Sequence, residues 1–428
     1  MVERNWAANV TFGAARVHRP ESIDQLQQIV ADAAAAGRRV HAAGSRHSFS
    51  TVADTEGDLV SMERMNRIVG IDRDAGTVTV EGGIRYGELA SALQADGLAL
   101  HNLPSLPHIT VAGAVATGTH GSGDGNANLA SAVSTIELVD AAGQLVRVSP
   151  ETTPGDFDGA VVALGALGVA ARLTLAVEPT FDVAQDVYRS LPIGLAIDHL
   201  DELMASAYSV SLFTDWTSAT VHQVWCKRRV DAGAGAGSVD VADTPGELFG
   251  AQRASLALHP VEAVSAEACT EQLGVSGAWH DRLPHFRLDF TPSVGDELQT
   301  EYFVSRRDGQ AAMLAVQALG DLLAPLLLVS EIRSVSADDF WLSPAYGRDS
   351  LAIHFTWRPD QPAAMAVLPS IEAALAPFAM RPHWGKLTTI PTADLRPRYP
   401  HFDDFVALVG RIDPAGVFRN DYLDRLLS

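Results

Sequence analysis

Val40-His41-Ala42-Ala43-Gly44-Ser45-Arg46-His47-Ser48-Phe49 is a short apolar strand, Val40 to Ala43, running straight into a glycine-serine loop that carries a histidine. Glycine lets backbone N–H groups approach an anion without side-chain obstruction, and serine hydroxyls add donors. Upstream, Ser22 can cap a helix whose Ile23, Leu26, Ile29, Val30 and Ala33 recur at helical spacing and which Gly37 closes. Downstream, Thr77 to Val80 alternates like a strand and leads through Gly82-Gly83 into a helix carrying Leu89 and Leu93, ending near Gly97. A third glycine loop follows, Thr117-Gly118-Thr119-His120-Gly121-Ser122-Gly123. Ser134 to Asp140 and Gln144 to Val148 read as a hairpin, and Gly165 to Val169 as a glycine turn opening the strand Ala171 to Val177. None of the loops is a Walker A sequence or fits a Rossmann fingerprint. Singly, each is also compatible with a tight turn, and His47, His108 and His120 with structural hydrogen bonding.

With 428 residues the chain predicts two packed domains. Its 47% hydrophobic and 19% charged residues are those of a globular protein. A net charge of -21 argues against nucleic acid or an anionic membrane as partner. Lys227-Arg228-Arg229 is too short to reverse this and reads as a solvated strand end. Cys226 and Cys269 lack the spacing for a disulfide framework or a zinc site, so no metal is expected. Met1 to Trp6 lacks a signal-peptide layout and no apolar run reaches membrane-spanning length, which together predict a cytoplasmic protein.

Pro179 marks the expected boundary of a second domain, with strands such as Val210 to Phe213 and Val221 to Cys226. Asp231 to Gly250, rich in Gly, Ala, Asp and Ser, reads as a surface loop. Glu331 and Arg333, two apart on a strand, point to one face. His354 and Thr356 repeat the pattern, with Ile353, Phe355 and Trp357 on the opposite, buried face. Alternation alone would also give a solvated sheet face. Yet Glu, Arg, His and Thr together supply donors and acceptors at hydroxyl spacing, which suits a polyhydroxylated ligand better than a metal. Lys386, in His383-Trp384-Gly385-Lys386, adds a cation. After Pro391 the helical pattern returns, with Phe405, Leu408, Val409 and Ile412 on one face.

The succession Gly44 to Phe49, Gly82-Gly83-x-x-Tyr86, Ser105-Leu-Pro-His-x-Thr-Val-Ala-Gly113, Thr117 to Gly123, Glu331-Ile-Arg333 and His383 to Lys386 resembles the vanillyl-alcohol-oxidase-type FAD family. Within it, Tyr208 to Trp216, Trp341 to Arg348 and His354 to Trp357 are similar to the alditol (xylitol) oxidases. The resemblance implies an α+β, two-domain flavoprotein. A split FAD-binding domain, residues 1–180 with the tail 390–428 returning to it, would hold a substrate domain, 181–389, with a mixed or antiparallel sheet flanked by helices. It implies FAD linked through its 8α-methyl group to His47. The cofactor would be cradled by Gly44, Ser45, Arg46 and Ser48, by Ser105, by Thr117, Gly118, Thr119, His120, Gly121 and Ser122, and by Gly168 and Val169. It places Ser105, Glu331, Arg333, His354, Thr356 and Lys386 around a small polyol. Pro104 departs from the family pattern, standing where a small residue such as alanine is expected beside the flavin edge that meets oxygen.

The implied reaction is oxidation of a terminal primary alcohol to the aldose, with O2 reduced to hydrogen peroxide, by a monomer. Arg333 and Lys386 would favour an alkoxide-like hydroxyl, and Glu331 would hold the neighbouring hydroxyl and neutralise the cations. His354 and a Lys386-linked network both stand as candidates for the general base. The rival within the family is an aldonolactone oxidase or dehydrogenase, which shares Glu-x-Arg and His-Trp-Gly-Lys. The rival outside it is a non-catalytic polyol-binding protein, for which three anion-cradling loops would be superfluous.

Overall fold

Ser22 Oγ accepts the Gln25 N–H and caps the helix Ile23–Ala35, whose Leu26, Val30 and Ala33 are buried. A computed structural model describes residues 3–230, 244–290 and 297–428. The expected strand Val40–Ala43 pairs in parallel with Asp58–Ser61, which also pairs with Arg16–His18. The hairpin forms from Val133–Val139 and Leu145–Val148, with Gly143 left-handed at φ 72° in its turn. It belongs to a five-stranded antiparallel sheet ordered Ile68–Asp72, Thr77–Glu81, Val169–Ala176, Val133–Val139, Leu145–Val148. The glycine turn at Gly165 and Gly168 therefore opens its strand at Val169, two residues earlier than the sequence suggested.

From Asp182 the chain builds a ten-stranded antiparallel sheet. Its central order is Asp182–Pro192, Thr220–Val230, Ser209–Thr214, Leu327–Val335, Ser350–Trp357, Leu298–Ser305. Ile353, Phe355 and Trp357 do point to the buried face, packing with Ile332, Leu212 and the helices Gly309–Gln317 and Gln361–Leu375. The tail helix Phe402–Ile412 packs on the helix Phe157–Val161, and its Phe405, Leu408 and Val409 join the core that also holds Val78, Leu89 and Leu173 of the first half of the chain.

Two expectations need correction. Residues 231–243 of the Asp231 to Gly250 segment lie outside the described residues, but its end is not a free loop. Glu247–Leu248 pairs with Ala251–Arg253, which adds to the edge of the large sheet. Lys227 is no solvated strand end: it is 1% exposed. Its strand alternates, so Lys227 turns inward and Arg228 to the opposite face, where it pairs with Asp186, while Arg229, near the strand end on the Lys227 face, lies over the Phe181 ring.

Candidate active site

Antiparallel register brings the polar pairs together. Glu331 stands directly opposite His354 on one side and Phe213 on the other, and His354 stands opposite Glu301. One face of the large sheet thus carries Phe213, Glu331, Arg333, His354, Thr356, Gln299 and Glu301 side by side. Ser105, Glu331, Arg333, His354, Thr356 and Lys386 all line a single cavity of about 740 Å³. Gly44, Ser45, Arg46, His47, Ser48, Thr117, Thr119, His120 and Gly168 line it as well, together with Pro104. The loops of the first half and the strands of the second therefore enclose one space.

Gly118, Gly121, Ser122 and Val169 do not reach that space. A Cβ at Gly118 would meet the Pro344 ring at 3.1 Å, one at Gly121 would collide with the Asn102 amide, and the Ser122 hydroxyl donates to Val210 O. Gly118 and Ser122 thus set the loop against the second half of the chain, while Gly121 packs on Asn102 and Val169 pairs with Val139 within the first half.

The cation pair is neutralised by Glu301, a residue the sequence reading missed. Arg333 Nη2 donates to Glu301 Oε1 at 2.7 Å and Lys386 Nζ to Oε2 at 2.7 Å, with His120 Nε2 3.2 Å from Oε1. Burial alone would raise the Glu301 carboxyl, but Lys386, His120 and Arg333 hold it well below the usual range. Glu331, assigned that role from sequence, shares it: it pairs with Arg333 Nε at 3.6 Å but does not bridge to Lys386, and it also takes a 2.7 Å hydrogen bond from His285 Nε2. The signal for Glu301 was present: Gln299 and Glu301 share a strand face as Glu331 and Arg333 do. His285 sits in irregular chain, where no periodicity could reveal it.

Arg333 Nη1 donates to Ser105 Oγ at 3.2 Å, tying the first half of the chain to the sheet. Lys386 is brought in by its own short turn: Phe49 N–H donates to Gly385 O at 2.7 Å and Ser50 Oγ to Trp384 O at 2.8 Å, so the lysine sits beside the His47 loop. Burial lowers the Lys386 ammonium, and Glu301 opposes that shift. Burial first, and then Lys386, pull His354 down to about 3, which leaves its ring neutral at ordinary pH. His47 packs on Trp6, centroids 4.4 Å apart, and burial with Lys386 nearby holds it at about 3. His108 is turned away, its Nε2 2.9 Å from Leu288 O.

The cavity fits an FAD. Arg46 is left-handed at φ 58°, and among the described residues no protein acceptor meets the N–H groups of Arg46, His47 or Ser48. Successive free N–H groups at such a turn form an anion nest. A Cβ at Gly44 would overlap the Thr110 hydroxyl, so only glycine allows this close approach. Away from the charged cluster the walls are apolar, with Ile136, Leu138, Val161 and Leu173.

Comparison with known proteins gives the same class. A family model described as "FAD binding domain" matches residues 14–149, and one described as "D-arabinono-1,4-lactone oxidase" matches residues 297–426. The structure is similar to cholesterol oxidase from B. sterolicum, with TM-score 0.79 at 15% identity, covering 100% of this chain and 96% of that one. It is also similar to xylooligosaccharide oxidase from Myceliophthora thermophila, with TM-score 0.75 at 15% identity, covering 97% and 92%. The fold and site define an FAD-dependent oxidoreductase. In sequence the chain is 47% identical to alditol oxidase from a Streptomyces species over 99% of this chain and 98% of the relative. It is 31% identical to L-gulono-1,4-lactone dehydrogenase from Mycobacterium tuberculosis, over 99% and 98%. The chain belongs to the alditol oxidase branch of the vanillyl-alcohol-oxidase-type FAD flavoproteins. No helix among the described residues is long and apolar enough to cross a membrane.

Proposed function

We propose that the protein oxidises the terminal primary alcohol of a small sugar alcohol to the aldose, with FAD attached to His47 and O2 as the electron acceptor, giving hydrogen peroxide. The observation that carries the reading is the shared cavity: the polyol-type polar set and the His47 loop open into one space. Residues 1–180 and 390–428 form the cofactor half in this reading, and 181–389 the substrate half. The acidic surface and two buried free thiols, Cys226 and Cys269, suit a reducing cytoplasm.

FAD, when bound, supplies the two-electron sink that takes the hydride from the alcohol carbon. Everything else falls to the chain. Arg333 and Lys386 grip the reacting hydroxyl and favour its alkoxide-like form, the arrangement that strengthens as negative charge develops. Glu301 keeps the two cations together without occupying the face they offer to substrate. Glu331 accepts from the neighbouring hydroxyl, while His354, Thr356 and Ser105 hold hydroxyls further along. The neutral His354 ring and the Lys386–Glu301 network are the two groups able to take the hydroxyl proton. Pro104, buried beside Ser105 on the cavity wall, is the residue that the family resemblance would set at the flavin edge meeting oxygen, so acceptor use is tested separately from oxidation.

The testing experiment is a substrate panel with peroxide detection. Xylitol or sorbitol is expected to exceed every aldonolactone in kcat/KM, because the polar set matches a chain of separate hydroxyls. A lactone with the higher kcat/KM would replace this reading with the lactone-oxidising one.

Attachment has its own test. A neutral imidazole offers the lone pair that a bond to the flavin 8α-methyl group requires, and burial keeps His47 neutral. Acid precipitation is expected to give a yellow pellet for the wild type and a colourless pellet for His47→Ala. Free yellow cofactor above a colourless wild-type pellet would end the covalent assignment.

A further inference from the structure

Beyond Glu331, the same sheet face continues to Phe213, Trp225 and Lys227, two strands further out. Lys227 Nζ has three acceptors, Leu283 O at 2.5 Å, Pro284 O at 2.9 Å and His285 Nδ1 at 3.2 Å. They match the three N–H bonds of an ammonium. An ammonium has no lone pair, so the Nδ1 it faces must be unprotonated. A neutral ring then carries its proton on Nε2, the atom 2.7 Å from Glu331 Oε1. The contact also reaches the cavity: Ser105 O accepts the N–H of His285 at 2.9 Å and of Phe286 at 3.2 Å. Phe213 and Trp225 wall the imidazole, centroids 5.7 and 5.1 Å away, so the ring cannot turn freely.

We infer that Lys227 and His285 are a positioning pair that holds Glu331 as a hydrogen-bond acceptor for the hydroxyl next to the reacting one, and so makes the enzyme select vicinal diols. The inference rests on the polyol reading of the site. Neither residue needs to touch substrate. Lys227 selects the His285 tautomer, His285 occupies one Glu331 oxygen, and the other oxygen is left with a defined direction. Burial brings His285 to about 4 and Lys227 to about 7, with Glu331 opposing both shifts, so a pH near 6 keeps the ring neutral and the ammonium charged.

Two measurements near that pH test the pair. Long-range proton–nitrogen NMR on histidine-labelled holoenzyme, with His285 assigned through its contacts to Trp225 and Phe213, is expected to show a neutral ring protonated at Nε2. A proton on Nδ1 overturns the proposal, and this measurement needs no variant to fold. The second compares glycerol with propane-1,3-diol, which differ in the middle hydroxyl alone. Losing a hydrogen bond to a charged group costs on the order of tenfold or more, so His285→Phe is expected to lower the glycerol preference in kcat/KM by about that factor, through the KM for glycerol. His285→Gln, whose amide can both accept from Lys227 and donate to Glu331, is expected to restore most of it. Equal losses on both alcohols, or no difference between the Phe and Gln variants, overturn the proposal. A wild type that turns over neither these alcohols nor xylitol overturns the polyol reading instead, and the ring's protonation then decides the pair alone.

Discussion

Lys386→Ala is expected to keep its flavin and to lose about 10²–10³-fold in the rate of flavin reduction by xylitol, the usual effect of removing a charge-assisted donor that strengthens in the transition state. The lysine is positioned for that role. Its Nζ is held at 2.7 Å by Glu301, its side chain is 13% exposed where it meets the cavity, and the Gly385 turn is pinned to the His47 loop. Binding of the polyol should change far less, because Arg333, Glu331, His354 and Thr356 remain. Arg333→Lys should also be impaired: one Arg333 nitrogen reaches Ser105 Oγ and another Glu301 Oε1, and a single ammonium cannot span that fork. Anaerobic stopped-flow reduction is the right measurement, since it is blind to the handling of oxygen and so to Pro104. Near-normal reduction in Lys386→Ala would take the charge out of the mechanism.

Glu301→Leu is expected to be the most damaging single change to the site's integrity. Glu301 is 1% exposed and bridges two buried cations, and breaking a buried ion pair from one side typically costs about 3–5 kcal/mol. The loss should appear as a lower urea midpoint with the far-UV spectrum unchanged at low denaturant. Glu301→Gln separates charge from shape: it keeps the volume and one acceptor but leaves Arg333 and Lys386 repelling each other. Its flavin reduction should fall well below wild type while the protein stays folded. A stability change below about 1 kcal/mol in the Leu variant would place the carboxylate among ordinary exposed pairs and contradict the geometry.

Much of the site was legible because strands alternate. Glu331 with Arg333, and His354 with Thr356, could be assigned to a face from spacing alone, and that face is the one on the cavity. The same rule would have found Glu301 behind Gln299 had the two been weighed together. The His47 loop, singly compatible with a tight turn, was legible through its place in the order of motifs along the chain. Lys227 was misread for a definite reason. Three consecutive basic residues look solvated in sequence, but on a strand the first and second face opposite ways, and only packing decides which is inside.

By itself, the sequence determined the local elements, the residues sharing each strand face, the anion-cradling loops and, through resemblance, the FAD family. These follow from short-range chemistry: propensity, period and the conformational freedom of glycine. Only the tertiary structure decided that Glu301 rather than Glu331 joins Arg333 to Lys386, that Gly118, Gly121, Ser122 and Val169 are not among the cavity-lining residues, and that Lys227 and His285 stand behind Glu331. The reason is register. Which residues face each other across strands depends on how segments tens of positions apart slide into pairing, and that alignment is set by the packing of the buried face beneath them.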